Sequence, residues 1–114
     1  MLIVHVVPPS IDVPNPCVQC DATLRALDKA GMVRGRIQEH ADDTPIDDYV
    51  VVGGDYAVLY LDDQSRDMFK ERGLLASPVS QSKLLGEEVG GFRPDFIKKH
   101  VAAVEQARRE SAAA

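Results

Sequence analysis

The segment Pro16-Cys-Val-Gln-Cys20 carries both cysteines of the chain, and the interpretation of the other elements starts from it. Residues 2–7 precede it as a run rich in β-branched side chains, which is typical of a buried strand. After a proline-dense loop, Pro16 suits the first position of a helix and Asn15 suits its N-cap. The spacing of apolar residues predicts that this helix covers residues 16–30. A strand followed by a helix that opens at the cysteine pair indicates an α/β fold.

The spacing of Cys17 and Cys20 favours thiol–disulfide chemistry. A disulfide that closes so short a loop removes little entropy from the unfolded chain, so we do not expect the pair to serve mainly to stabilise the fold. At the start of a helix the unpaired N–H groups and the helix dipole favour a thiolate at Cys17, the species that attacks disulfides. Cys20 shares a helix face with Leu24 and Leu27, so we expect it to be more buried and to resolve a mixed disulfide at Cys17. The pair predicts a redox-active disulfide and no other cofactor.

Two other interpretations of the cysteine pair are a metal site and two inert buried thiols. A zinc site needs two further ligands, and the three histidines, His5, His40 and His100, lack the spacing of a ligand pair. Free cysteines often behave as small buried hydrophobes. A non-enzymatic module that binds a metal or an iron–sulfur cluster through Cys17 stays open as an alternative.

Composition and charge limit the classes of function. The 114 residues include 13 Lys+Arg and 18 Asp+Glu, which gives a net charge of −5 and argues against nucleic-acid binding. No apolar run approaches the ~20 residues that span a bilayer, and residues 2–7 lack the flanks of a signal peptide. These features predict binding to neither nucleic acid nor membrane, and we expect a cytoplasmic monomer. Its domain is expected over residues 1–107, with a frayed tail over residues 108–114.

Residues 33–61 allow more than one assignment of strands. Residues 33–39 favour a strand interrupted by a glycine, whereas residues 49–52 and 56–61 predict two strands around a turn at Gly53-Gly54-Asp55. The acidic residues 40–48 between them predict a surface loop.

The remainder of the chain predicts a helix, a short strand and a final helix. Asp62 or Asp63 offers an N-cap for a helix that runs to Arg72 and ends at Gly73. Residues 83–89 favour a short strand. The segment Arg93-Pro-Asp95 opens the last helix, whose apolar stripe consists of Ile97, Val101 and Val104.

Three segments of the chain resemble the NrdH-type redoxins, glutaredoxin-like proteins of the thioredoxin fold. The segments are the redox helix from Pro16 to Gly31, residues 65–79, and the turn Gly91-Phe-Arg-Pro-Asp95. The resemblance implies an α/β thioredoxin fold with a mixed sheet of four or more strands flanked by three helices. The family passes directly from helix to strand where this chain has additional residues, so an inserted hairpin or loop is expected near residues 34–56.

The resemblance also implies a function. Proteins of this family are small electron carriers that reduce a disulfide of class Ib ribonucleotide reductase. They are reduced by thioredoxin reductase and not by glutathione. Carried over to this chain, Cys17 is the nucleophile and Cys20 the resolving thiol.

Four further residues are expected to contact partners, and the resemblance implies their roles. Pro78 matches the cis-proline that faces the active site, and Ser77 precedes it. Phe92 and Arg93 would fix the last turn against the loop that carries the cysteines. A plain turn proline at Pro78, and an ordinary helix entry at Phe92 and Arg93, stay open as alternatives.

The chain departs from the family pattern in four places. Its loop before Cys17 is longer, the insertion is additional, Val89-Gly90 replaces the usual Trp-Ser, and Ser77 stands where alanine is common. A glutathione-dependent glutaredoxin is the alternative within the same chemistry, because Gly90-Gly91 and Asp95 are similar to its glutathione site. Ser77 in place of that family's threonine-valine, and the absence of a lysine before Cys17, argue against it.

Overall fold

Three helices and two sheets form the described part of the chain, which is residues 1–9 and 17–113 of a computed structural model. The helices are α1 (Val18–Lys29), α2 (Asp63–Glu71) and α3 (Pro94–Ala113). The strands are β1 (Leu2–Val6), β2 (Arg36–Ile37), β3 (Val51–Val52), β4 (Tyr56–Tyr60), β5 (Val79–Ser82) and β6 (Glu87–Gly90). A short 3₁₀ turn, Ile46–Asp48, lies between β2 and β3.

The main sheet is mixed and has four strands in the order β4-β1-β5-β6. Strand β1 runs parallel to β4, with Leu2 opposite Tyr56, and antiparallel to β5, with His5 opposite Val79. Strand β6 pairs antiparallel with β5. All five residues of β1 are buried, as expected for a central strand covered on both faces. The predicted mixed sheet of at least four strands with three helices is confirmed.

Alternation of side chains along β1 divides the core into two parts. Leu2, Val4 and Val6 pack with buried residues of α1 and α3 on one face of the sheet. His5 points to the other face, where its ring lies 4.8 Å from the ring of Phe69 on α2. The sheet is therefore covered by α1 and α3 on one side and by α2 on the other.

Glycines end both of the shorter helices, as the sequence predicted. Gly31 follows α1 with a φ of 82°, and its N–H donates to the carbonyl of Asp28. Gly73 follows α2 with a φ of 81° and donates to Lys70 in the same way. Glycine reaches this left-handed conformation without the strain that a Cβ would bring. At the start of α2, the side chain of Asp62 accepts from the N–H of Ser65, so this predicted N-cap is confirmed.

The prediction that residues 49–52 and 56–61 form a hairpin around Gly53-Gly54-Asp55 is wrong. Strand β3 pairs antiparallel with β2 and not with β4, which instead joins the main sheet beside β1. The predicted strand over residues 33–39 is reduced to β2 and an isolated bridge between Arg34 and Tyr56. After β1, the next strand along the chain that joins the main sheet is therefore β4. The inserted hairpin consists of β2 and β3.

Close backbone contact explains why the chain does not turn back at this point. A Cβ on Gly35 would lie 2.5 Å from the carbonyl oxygen of Val52, so only glycine allows the two segments to cross. The buried Asp55 then accepts from the N–H of Val33 at 2.8 Å and pairs with Arg108 of α3. These contacts direct the chain after Gly54 into the main sheet.

Two differences concern the second half of the chain. Residues 83–86 form a turn, so the strand predicted over residues 83–89 is replaced by β6, which begins at Glu87. Residues 108–113, predicted as a frayed tail, continue α3, and Arg108 holds this end through its ion pair with Asp55. None of the helices in the described ranges is long and apolar enough to cross a membrane.

The acidic loop of the insertion is more ordered than a plain surface loop. Ile46 packs against the core cluster that contains Phe69, and Asp47 forms an ion pair with Arg72 of α2 at 2.7 Å. The insertion therefore covers part of the sheet face on the α2 side.

Candidate redox site

The two cysteines form a disulfide at the amino end of α1, and their Cα atoms are 5.2 Å apart. Cys17 is the N-cap residue, with extended backbone angles, and its Sγ accepts from the N–H of Cys20 at 3.1 Å. The helix thus begins at Val18, two residues later than predicted. Asn15 and Pro16, expected as N-cap and first helical residue, lie outside the described residues. A sulfur at the N-cap faces unpaired N–H donors, which is where a thiolate would be stabilised.

The two sulfurs differ in burial, as the sequence predicted. Cys20 is only 5% exposed and belongs to the core cluster that contains Val6 and Leu27. Cys17 is half-buried at the edge of that cluster. An attacking thiol from outside would therefore reach Cys17 more easily than Cys20.

Gln19, between the cysteines, connects the redox helix to the turn before α3. Its Oε1 accepts from the backbone N–H of Phe92 at 2.9 Å, and the neighbouring N–H of Gly91 donates to the carbonyl of Pro78 at 2.8 Å. A Cβ on Gly91 would lie 2.9 Å from Gln19 Oε1, and Gly91 has a φ of 82°. Two consecutive N–H groups of one turn thus bind the cysteine segment and the Pro78 loop.

Two of the four expected contact residues, Pro78 and Phe92, are connected to the cysteine segment through the turn at Gly91, and Ser77 precedes Pro78. The Ser77–Pro78 peptide bond is cis, as the resemblance implied, with Pro78 buried and Ser77 half-buried. Phe92 packs against the same core cluster as Cys17.

Arg93 is the fourth, and it is bonded within its own turn, where its guanidinium lies 3.2 Å from the carboxylate of Asp95. This hydrogen bond lowers the pKa of Asp95 below its ordinary value.

A cavity of about 170 Å³ lies beside the disulfide. Besides Cys17 and Cys20, its lining includes Val7, which follows β1, Tyr60 at the end of β4 and Arg34 of the insertion. Tyr60 is 62% exposed. Arg34 is the member of the insertion that reaches the surroundings of the disulfide.

A second groove, of about 380 Å³, lies between α2 and the loop that precedes β5. We call it the α2 groove. Its lining consists of Val7, Leu61, Arg66, Phe69, Lys70, Leu74, Leu75, Ala76, Ser77 and Val79. Because Val7 lines both spaces, the α2 groove borders the cavity beside the disulfide.

A hydrogen-bond network that begins at the buried pair of His5 and Gln81 and reaches the surface anchors the insertion. His5 Nε2 lies 2.7 Å from Gln81 Oε1, and Gln81 Nε2 donates to the carboxylates of Asp47 at 3.2 Å and Glu88 at 3.0 Å. Arg72 donates to both carboxylates. Burial lowers the pKa of His5, and the hydrogen bond from Arg72 lowers the pKa of Asp47.

The network and the disulfide lie on opposite faces of the main sheet. His5 points to the face covered by α2, whereas Val6, the next residue of β1, packs with Cys20 on the face covered by α1 and α3. The anchor of the insertion is therefore distinct from the redox site.

Sequence reasoning missed the residues that make these connections. The sequence gives one indication for Gln19, which is that a polar side chain stands between two cysteines. It gives no indication that Asp47, Arg72 and Gln81 meet, because they come from three separate elements whose contacts follow no periodic pattern. His100, also buried, has its Nδ1 2.7 Å from Ser82 Oγ. In the described residues, no group of three or more His, Cys, Asp or Glu side chains is arranged to hold a metal ion.

Comparison of the chain with protein-family models gives no match, and comparison with curated proteins finds none that is similar.

Proposed function

We propose that this protein is a thiol–disulfide oxidoreductase with a thioredoxin-like fold. The observation that carries the proposal is the Cys17–Cys20 disulfide at the amino end of α1, with Cys17 as the N-cap and Cys20 buried behind it. The order β4-β1-β5-β6 and a cis-proline immediately before β5 support the fold assignment.

The chemistry is two consecutive exchange steps. The Cys17 thiolate attacks one sulfur of a substrate disulfide, forming a mixed disulfide and releasing the first substrate thiolate. The Cys20 thiolate then attacks Cys17 Sγ, which forms the Cys17–Cys20 disulfide and releases the second substrate thiolate. Two electrons pass from the protein to the substrate. An external reductant must return them before the next cycle.

The N–H of Cys20 supports the first step. It already points at Cys17 Sγ from 3.1 Å, so a negative charge on that sulfur needs no rearrangement of the backbone. Burial of Cys20 keeps the second sulfur from outside thiols until the mixed disulfide has formed.

For the partners, we propose class Ib ribonucleotide reductase as the electron acceptor and thioredoxin reductase as the electron donor. The support is the resemblance of the redox helix, of residues 65–79 and of the turn at residues 91–95 to the NrdH-type redoxins. The hydrogen bond between Gln19 and Phe92 adds a physical connection between two of those segments.

The test is NADPH oxidation with two alternative reducing systems. The oxidised protein is mixed with thioredoxin reductase, or with glutathione and glutathione reductase, and insulin serves as the final disulfide. We expect turnover with thioredoxin reductase and little with glutathione. Turnover with glutathione alone would favour a glutaredoxin. Failure with both systems, together with failure of dithiothreitol-reduced protein to reduce insulin, would overturn the proposal.

A further inference from the structure

We propose that the α2 groove binds an extended segment of the partner protein that carries carboxylate side chains and an apolar residue beside its disulfide. This inference rests on the proposed function and specifies its substrate class. The groove is in the right place, because it includes Ser77 and shares Val7 with the cavity beside the disulfide.

The floor of the groove is apolar and its rim exposes a large apolar side chain. Leu61, Phe69 and Val79 form a buried cluster at its base. Leu75 at its rim is 79% exposed. An apolar side chain of a bound segment would cover Leu75, so that both apolar side chains leave water. Burial of apolar surface is the usual source of affinity between proteins.

Two cationic side chains favour the binding of carboxylates in the groove. Arg66 and Lys70 are four residues apart on α2, so they lie on the same face of the helix. Within residues 1–9 and 17–113, neither Arg66 nor Lys70 forms an ion pair, so both charges are available to a bound segment.

The lining of the α2 groove carries these two cations and no carboxylate. The whole chain has a net charge of −5, and the acidic residues of α2 do not line the groove. A positive groove on a negative protein attracts a segment with carboxylates and repels a basic one.

The experiment compares two peptide disulfides that differ only in charge. Each has a leucine beside its cysteine, and one has two glutamates where the other has two glutamines. At low salt we expect kcat/KM of the reduced protein to be roughly three- to tenfold higher for the glutamate peptide, and the preference to vanish at about 1 M salt.

The protein variant is Arg66→Gln with Lys70→Gln, and its matched control is Lys29→Gln with Lys98→Gln. The control removes the same charge from a different groove, between α1 and α3. We expect the glutamate preference to be lost in the first variant and kept in the control. A preference that survives in the first variant, or that is lost equally in the control, would overturn the inference.

Two further measurements separate this inference from the proposed function. Hydroxyethyl disulfide is uncharged, so its reduction tests the thiol chemistry alone. If wild-type protein reduces it and reduces both peptides equally, the proposed function stands and the groove assignment fails. Binding of a glutamate peptide with serine for cysteine, followed by amide chemical shifts, should perturb Arg66, Lys70 and Leu75 even without exchange chemistry. Shifts confined to other surfaces would contradict the groove assignment.

Discussion

Gln19 Oε1 accepts a hydrogen bond from the backbone N–H of Phe92, at 2.9 Å, across 73 residues of chain. The next N–H upstream, that of Gly91, is bound to the carbonyl of Pro78. Because both donors belong to one turn, the side chain of Gln19 connects the cysteine segment to the loop before β5.

Replacing Gln19 by leucine should loosen this connection. Phe92 loses an acceptor at an exposed contact that water can partly replace, so the free energy of unfolding should fall by about 0.5–1.5 kcal/mol. Gln19→Glu keeps an acceptor oxygen and should retain the wild-type value near neutral pH. Urea unfolding measures both variants, with Gln38→Leu as the control at an exposed position of the insertion. Equal values for Gln19→Leu and Gln38→Leu would show that the contact contributes nothing.

The two thiols of the reduced protein should react at different rates. Cys17 is half-buried at the amino end of α1, whereas Cys20 is 5% exposed, so iodoacetamide should modify Cys17 first. Cys17→Ser should abolish disulfide reduction, and Cys20→Ser should accumulate a mixed disulfide with the substrate. Mass spectrometry of the quenched reaction detects both species. Modification of both thiols at one rate would remove the assignment of Cys17 as nucleophile.

Local signals predicted the helices, the central strand and the cysteine pair, because each depends on residues close in sequence. Asp62 with Ser65, and Gly31 after α1, are examples in which a side chain or a missing Cβ acts within a few residues. The partner of β3 could not be predicted in this way. It depends on the close approach of Gly35 to the segment around Gly54, and a glycine in a sequence does not show which backbone it will meet.

The same limit applies to the site. The Cys17–Cys20 disulfide follows from spacing, but the bond from Gln19 to Phe92 needs the folded chain. The acidic residues 40–48 predict a surface loop, but that pattern does not show that Asp47 meets Arg72 above the buried pair of His5 and Gln81.

Stability should fall as the pH is lowered from about 6.5 to about 4, and His100 should be a main cause. Its ring is fully buried, and burial lowers its pKa from 6.5 to about 4. Above pH 6.5 the ring is neutral in both states. Below it, the unfolded chain takes up a proton that the folded protein does not, so unfolding becomes easier by up to about 3 kcal/mol at pH 4.

The measurement is urea unfolding between pH 7 and pH 4 for wild type, His100→Leu and the exposed-site control His40→Leu. The decrease in the free energy of unfolding between pH 7 and pH 4 should be smaller in His100→Leu than in wild type and should be unchanged in His40→Leu. Some decrease should remain, because burial also lowers the pKa of His5. An identical decrease in His100→Leu and wild type would show that His100 is not responsible.

Arg72 should matter more to stability than Arg93, although both form ion pairs. Arg72 is only 32% exposed and bridges Asp47 of the insertion to Glu88 of β6. Arg72→Met keeps the apolar stem but leaves two carboxylates close together, so the free energy of unfolding should fall by about 1 kcal/mol.

Arg93→Met is the matched control, because the Arg93–Asp95 pair is exposed and lies within one turn. It should leave the urea midpoint unchanged. An NMR titration should show the pKa of Asp47 rising toward its ordinary value in Arg72→Met, since the hydrogen bond from Arg72 lowers it. Equal midpoints for the two variants would argue that the insertion is held by its apolar contacts alone.

The position of Tyr60 beside the disulfide gives the protein an intrinsic optical signal. The chain has no tryptophan and three tyrosines, so its ultraviolet fluorescence comes from tyrosine. Tyr56 donates its hydroxyl to Asp28 at 2.9 Å and Tyr49 stacks on His40, contacts that quench emission. Tyr60 is exposed and lines the same cavity as Cys17 and Cys20, where a disulfide quenches an excited phenol ring. Emission should therefore increase when the disulfide is reduced, which would let tyrosine fluorescence follow the redox state of the unlabelled protein.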